Sequence, residues 1–174
     1  MNATSAAKTV NGKPISISKL NHVAVPVRDP MEAVRFWTAL TGAQMLGEYE
    51  EGTFAIMLMP GGFLLGCSRQ PEGWTGRTAE YPHIGLEVEG DMMEPLKQRL
   101  AELGVPCEQI WTRFKKEGLM YFRDPSGNLF ELICEEGYPK ANTAPVGHFY
   151  GGTFKTDLEA LNYSTWNDPG KQAS

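Results

Sequence analysis

Histidine is scarce in this chain, with three among 174 residues, and cysteine is equally scarce. Cys67, Cys107 and Cys134 have neither an even count nor metal-type spacing, so they offer no disulfide framework and no thiolate metal site. They read as reduced, mostly buried thiols of a cytoplasmic protein. No apolar run reaches membrane-spanning length, and the N-terminus lacks the basic-then-apolar layout of a signal peptide. Neither sign of charge dominates: the net charge of −5 argues against nucleic acid or an anionic membrane as the main partner. What remains is an ordinary soluble composition, 41% apolar and 21% charged. The length suffices for one domain with a sizeable core, or for two small modules sharing one.

Residues 1–16 mix Ala, Ser, Thr, Asn, Gly and Lys without period, which predicts a loose tail. From Ile17 to Val27 the pattern alternates, with Val23, Val25 and Val27 on one face and Leu20, His22, Ala24 and Pro26 on the other. Asp29-Pro30 then opens a helix, with Asp29 as N-cap, Pro30 at its first position and Glu32 three residues after the cap. Val34, Trp37 and Leu40 supply its apolar stripe, and Gly42 stops it. Strands are expected near 43–50, 53–59 and 63–69, and residues 70–80 read as a linker. The same order then returns. Strand 82–89 alternates; Asp91 caps a helix with Glu94 three residues on and a stripe of Met92, Leu96, Leu100 and Leu103; Gly104 ends it. Strands near 105–111, 117–123 and 128–135 follow. This is an internal repeat of about 60 residues, and two copies packed edge to edge would share one cleft.

The repeat places His22 opposite His83 and Gly66 opposite Glu131. One half therefore offers a histidine and an empty position, the other a histidine and a glutamate. Each residue has a plainer reading as well: a hydrogen-bonded histidine at a strand edge, or a surface carboxylate. Glu131, however, stands between Leu129-Phe130 and Leu132-Ile133 in a strand that reads as buried, where a carboxylate needs a partner. Two histidines and one carboxylate make a facial set for a divalent metal. Tyr121, ten residues before Glu131 on the pairing strand, reads equally as core or as a phenol that bonds a metal-held oxygen or a substrate hydroxyl. The segment 136–174 carries Tyr138, Phe149, Tyr150, Phe154, Tyr163 and Trp166, too many aromatics for a disordered segment. It is expected to dock over the cleft mouth or on a partner subunit, with a short helix capped by Thr156 and Glu159. His148 within it reads as a surface histidine, or as a general acid or base if the tail covers the cleft.

These features resemble the vicinal oxygen chelate superfamily, which includes glyoxalase I, extradiol dioxygenases, fosfomycin-modifying enzymes and bleomycin-binding proteins. The resemblance covers residues 17–135, as modules 17–70 and 81–135. It rests on the paired βαβββ layout, Asn21-His22-Val23, Pro82-His83-Ile84 and Asp124-Pro125-Ser126-Gly127-Asn128-Leu129-Phe130-Glu131. It implies an α+β fold whose two modules form a curved mixed sheet around a central metal cleft. It also implies a metal held by His22, His83 and Glu131, with open positions for two vicinal substrate oxygens. Glyoxalase I takes a fourth protein ligand from the strand where Gly66 stands here, whereas extradiol dioxygenases and fosfomycin-modifying enzymes do not. The tyrosine ten residues before the carboxylate matches the extradiol pattern onto Tyr121. The acid–base histidines of that pattern have no counterpart: Thr112, Arg113 and Phe114 occupy one region and Ser68 the other, which leaves His148 as the substitute. The expectation is a cytoplasmic homodimer using Fe(II), with Mn(II), zinc or nickel as alternatives, to cleave a catechol-like aromatic with O₂. A lyase, isomerase or transferase working without O₂ is the first alternative, and a metal-free binder of an aromatic antibiotic is the second.

Overall fold

The computed structural model describes residues 9–10, 13–14, 20–76 and 80–171. Where a loose tail is expected, β1 (Thr9–Val10) and β2 (Lys13–Pro14) pair antiparallel; the rest of 1–16 lies outside the described residues. The first module runs β3 (His22–Val27), α1 (Pro30–Thr41), β4 (Gln44–Tyr49), β5 (Phe54–Leu58) and β6 (Leu64–Arg69). Its sheet has the order β3-β6-β5-β4, with β3 parallel to β6. The second runs β7 (Ile84–Glu87), α2 (Met93–Glu102), β8 (Gly118–Arg123) and β9 (Leu129–Cys134), in the order β7-β9-β8. The fold is α+β with two open mixed sheets.

The first helix begins as the sequence dictates. Asp29 caps it, its Oδ1 accepting the Met31 N–H at 2.9 Å, Pro30 opens it, and Gly42 closes it at φ 76°. Glu32 departs from the expected capping box and instead accepts the Trp166 indole N–H at 3.1 Å. The second helix differs more. A 3₁₀ turn over Gly90–Met92 precedes it, Asp91 makes no cap, and Glu94 turns to the Tyr138 hydroxyl and the Lys140 ammonium, both at 2.8 Å. That turn shifts the buried stripe from Met92 to Met93, with Leu100 and Leu103 retained. The strand expected at 105–111 is reduced to isolated bridges, Cys107 with Phe122 and Trp111 with Leu119. Between them the Glu108 carboxylate accepts the Tyr121 N–H at 3.2 Å, where a regular ladder would use a backbone carbonyl.

One core serves both modules. Val25, Val27, Ala55, Met57, Leu65 and Cys67 line one face of the first sheet, and Met120, Phe122, Phe130 and Leu132 one face of the second. Phe36 and Trp37 of α1 lie among them, Trp37 edge-on to Phe130 at 4.6 Å and Phe36 at 6.4 Å from Phe122. Each such aromatic contributes roughly 2–3 kcal/mol by burial. The modules are thus joined through α1 and their core faces, while β3 and β7 remain terminal strands of separate sheets. The tight turn before β9 adds polar ties. The Asn128 amide donates to the Pro26 carbonyl at 2.8 Å, the Arg28 N–H donates to Ser126 Oγ at 3.0 Å, and the Arg28 guanidinium donates to the Pro125 carbonyl.

Because side chains alternate along a strand, the opposite faces look away from this core. The outward face of the second sheet is covered by the C-terminal segment: Phe154, Leu158 and Leu161 pack on Trp111, Leu119, Tyr121 and Leu129. The chain then crosses to the first module, where the Trp166 ring meets Phe36 edge-on at 5.5 Å and Asp168 pairs with Arg35 at 2.9 Å. No helix forms at Thr156–Glu159. Asp157 Oδ1 accepts the Glu159 and Ala160 N–H groups, each at 3.2 Å, and closes a turn instead.

Candidate functional site

The register of the two sheets reproduces the repeat residue by residue. Gly66 lies between Ala24 and Ile56, and Glu131 lies between Gly85 and Tyr121 at the equivalent place. All six stand on outward faces. A Cβ on Gly66 would meet the Phe54 ring at 2.9 Å, so the first module fills with an aromatic ring the space that a ligand side chain would need. On Gly85 a Cβ would lie 3.7 Å from Glu131 Oε2; the bare glycine leaves the carboxylate open on its β7 side.

His83 immediately precedes β7, and its Nε2 lies 3.6 Å from Glu131 Oε2. That is too long for a hydrogen bond and near the separation of two donors each ~2.1 Å from a shared ion. His83 Nδ1 lies 3.1 Å from the Glu80 carbonyl. A carbonyl only accepts, so Nδ1 carries a proton, and in the neutral imidazole the Nε2 lone pair is on the Glu131 side. The Tyr121 ring stands edge-on to His83 at 5.1 Å, and the Tyr81 ring lies tilted to it at 5.4 Å. Burial raises the Glu131 carboxyl above its ordinary value, against the pull of His83 and Arg113. Burial also raises the Tyr121 phenol, helped by the negative charges of Glu131 and Glu80, so it remains a neutral donor.

His22 is placed apart from this pair. It is exposed on the outward face of β3, its Nδ1 2.9 Å from Asn21 Oδ1. Among the described residues, no three His, Cys, Asp or Glu side chains converge closely enough to hold a metal. The chain therefore assembles two of the three expected ligands, with Tyr121 beside them. The donor chemistry of His83 and Glu131 fits a divalent ion, and His22 offers a third nitrogen only if another β3 is brought to β7. His148, on the 3₁₀ turn His148–Tyr150, has its Nδ1 3.3 Å from the Phe154 carbonyl and its ring tilted against Phe149 at 3.9 Å, within its own segment. Cys67 is inert, its thiol pushed up to about 12 by burial and by Asp124. Met57 and Met59 are core.

Sequence reasoning missed Glu108. It is buried beside Tyr121, and burial pushes its carboxyl up to about 7 against hydrogen bonds from the Tyr121 backbone, Thr156 and Trp111. Trp111 and Thr156 approach the carboxyl, yet neither Glu108 Oε1 nor Trp111 Nε1 completes a well-aligned bond. A glutamate between Cys107 and Gln109 in a nondescript segment carries no motif. Its position is set by a strand that fails to form.

The family model of the Glyoxalase/Bleomycin resistance protein/Dioxygenase superfamily matches residues 19–132. A curated relative, Glyoxylase I 4 of Arabidopsis thaliana, is 27% identical over 138 residues, covering 74% of this chain and 77% of the relative. A glyoxylase/bleomycin resistance protein/dioxygenase domain from Frankia sp. EAN1pec superposes with a TM-score of 0.61 at 22% identity, covering 74% of this chain and 99% of that one. The fosfomycin resistance protein FosX of Listeria monocytogenes, complexed with Mn(II) and sulfate, gives 0.58 at 21% identity over 73% and 96% of the two chains. A glyoxalase/dioxygenase from Nostoc punctiforme gives 0.60 at 18% identity over 74% and 100%. These solved structures share the fold.

Proposed function

The chain belongs to the Glyoxalase/Bleomycin resistance protein/Dioxygenase superfamily, and from that premise we propose a metal-dependent enzyme acting on a small molecule with two vicinal oxygens, of the extradiol ring-cleaving type. The observation that carries the reading is the His83–Glu131 pair, a proton-fixed imidazole and a buried carboxylate 3.6 Å apart with the Tyr121 ring alongside. His83 and Glu131 would hold a divalent ion, Fe(II) or Mn(II), and His22 of a second copy would complete the set. β3 and β7 are each a terminal strand of their sheet, the position from which such a pairing would be made. A bound divalent ion supplies Lewis acidity, lowering the pKa of a substrate hydroxyl and offering sites for two reactants.

The remaining work belongs to the chain's own groups. Glu80, through its carbonyl, keeps the His83 proton on Nδ1 and so keeps Nε2 available. Tyr121, neutral because it is buried among carboxylates, donates a hydrogen bond to the substrate oxygen that gains negative charge. Phe154, Leu158 and Leu161 keep water from the outward face beside it. His148 would act only if its segment moves toward His83.

The test is metal analysis of protein purified without chelator or His-tag, followed by oxygen uptake with catechols. Iron or manganese near one per chain with uptake supports the reading; no metal after anaerobic reconstitution rejects it. A second reading, a lyase or isomerase working without O₂, is favoured by similarity to Glyoxylase I 4 and, in fold, to a lactoylglutathione lyase from Agrobacterium tumefaciens. Zinc or nickel without oxygen uptake would select it. A metal-free binder of aromatics would show tight binding with no metal at all.

A further inference from the structure

We propose that the outward face of the first sheet carries a binding hollow for the uncharged, flat aromatic body of a ligand, with Trp74 as its stacking wall. The hollow encloses about 590 Å³, within the range of small-molecule sites. Ala24 and Pro26 of β3 and Ser68 of β6 form its floor; Gln70, Glu72 and Trp74 of the segment leading away from β6 form its wall.

That wall is fixed by backbone bonds. The Gln70 N–H donates to the Val27 carbonyl at 2.7 Å, and Gly73 N–H to the Gln70 carbonyl at 2.8 Å. The Trp74 N–H crosses to the second module and donates to the Ser126 carbonyl at 3.0 Å. The approach needs glycine: Gly73 has φ +64°, and a Cβ there would lie 2.5 Å from the Ser126 oxygen. The chain then folds back against the indole, where a Cβ on Gly76 would lie 2.8 Å from the ring. A half-buried tryptophan whose own N–H is tied to Ser126, on a segment held by two further backbone bonds beside an open hollow, is a preorganised flat surface.

The chemistry of the walls sets the ligand class. Among the described residues lining the hollow there is no Lys, Arg or His. The nearby Arg28 sends its guanidinium to the Pro125 carbonyl. Among the described lining residues Glu72 is the one ionisable group, and it repels an anion such as a phosphonate. Ser68 and Gln70 supply hydrogen bonds for a neutral hydroxyl or carbonyl substituent. Ala24 lies two residues beyond His22 on the same face of the strand, a span of about 7 Å. A ligand lying in the hollow therefore extends toward His22. What sits at that end rests on the metal reading, but the hollow itself does not.

The experiment labels the full-length protein with 5-fluorotryptophan and follows its four tryptophan signals by ¹⁹F NMR, the Trp74 signal being assigned from Trp74→Phe. The probes are 4-ethylphenol, uncharged at neutral pH, and phenylphosphonate. The expected result is a saturable shift of the Trp74 signal with 4-ethylphenol, at the millimolar affinity usual for a fragment of that size. No such shift is expected with phenylphosphonate at the same concentrations. Ala24→Phe, filling an exposed site on the floor, should weaken the 4-ethylphenol response at least tenfold while leaving the fold intact. An unmoved Trp74 signal, an equal response to phenylphosphonate, or a folded Ala24→Phe protein that binds as before would overturn the proposal. Metal analysis of the same protein runs alongside: a saturable shift in protein that takes up no metal even after anaerobic reconstitution leaves the hollow standing and removes the metal reading alone.

Discussion

The two modules share one plan and differ at the same three register positions. Where the first has Ala24, Gly66 and Ile56 in a row, the second has Gly85, Glu131 and Tyr121. The first face is open and lined by small or apolar side chains; the second is covered by the C-terminal segment and holds two buried carboxylates, Glu108 and Glu131. The difference shows how a duplicated scaffold divides its labour. One copy keeps space and a lone histidine, while the other concentrates charge under cover, where low dielectric makes each charge count.

The largest expected effect comes from breaking that division. His22→Ala alone and Glu131→Ala alone should each lose bound metal and lower activity at least about 100-fold, since even partners behind the ligands are worth 10–100-fold. Mixing the two inactive proteins under conditions that exchange subunits should restore activity, because one of the two sites in a mixed dimer is intact. Activity that stays absent on mixing, with dimers confirmed by sedimentation, would mean that the modules do not complete each other across two chains.

A second contrast lies in the equivalent hairpin turns. Glu117, fully buried, accepts the N–H groups of Arg113 and Phe114 at 2.8 Å and that of Lys116 at 3.2 Å. These bonds hold its carboxyl below the usual range although burial pushes the other way. The corresponding turn of the first module, Glu50–Gly52, is largely exposed, its Thr53 hydroxyl reaching Glu50 at 3.4 Å. Glu117→Ala leaves three donors unsatisfied and should cost about 3 kcal/mol, lowering Tm by roughly 6–12 °C. Glu50→Ala should change stability by less than about 0.5 kcal/mol. Calorimetry of the pair checks both.

Much of this was legible in the chain. Asp29-Pro30 and Gly42 bounded the first helix because capping is local chemistry, and the turn at Asp124–Asn128 placed Tyr121 opposite Glu131. The illegible parts are those where a distant group overrode a local one. Glu32 abandoned its cap for Trp166, 134 residues away; Glu94 went to Tyr138 and Lys140; Glu108 replaced a ladder carbonyl. Of the three residues read as a candidate metal set, the chain brings only His83 and Glu131 together, because sequence spacing says nothing of whether two modules meet by their edges or through a helix.

Covering segments give the third contrast. Leu161, 2% exposed against Trp111 and Tyr121, should cost about 2–3 kcal/mol on replacement by Ala, by lost burial and the cavity left behind. Leu46, 55% exposed on the uncovered module, should cost less than about 0.5 kcal/mol. Denaturant titration of both variants reads the difference directly, and equal midpoints would mean that the tail does not seal the second face in solution.

The smallest effect isolates Glu108. Its carboxyl titrates at about 7 when folded and near 4.5 when unfolded. Between those values the folded chain binds the extra proton, so this group's contribution is complete below about pH 4.5 and is lost as pH rises through 7. At 1.36 kcal/mol per pKa unit the ceiling is about 3 kcal/mol, and water entry on ionisation reduces it to roughly 1–2 kcal/mol. Glu108→Gln keeps an acceptor for the Tyr121 N–H and cannot ionise. The variant should therefore gain stability relative to the native chain as pH rises from 5 to 8, by that same 1–2 kcal/mol in paired urea titrations. Asp124, raised to about 6 by burial, titrates in the same direction but is common to both proteins and cancels in the difference. A difference that stays constant with pH would mean that Glu108 is already ionised beneath the tail. The covered face would then tolerate a second full negative charge beside Tyr121, and the contrast in dielectric between the two modules would be smaller than their burial implies.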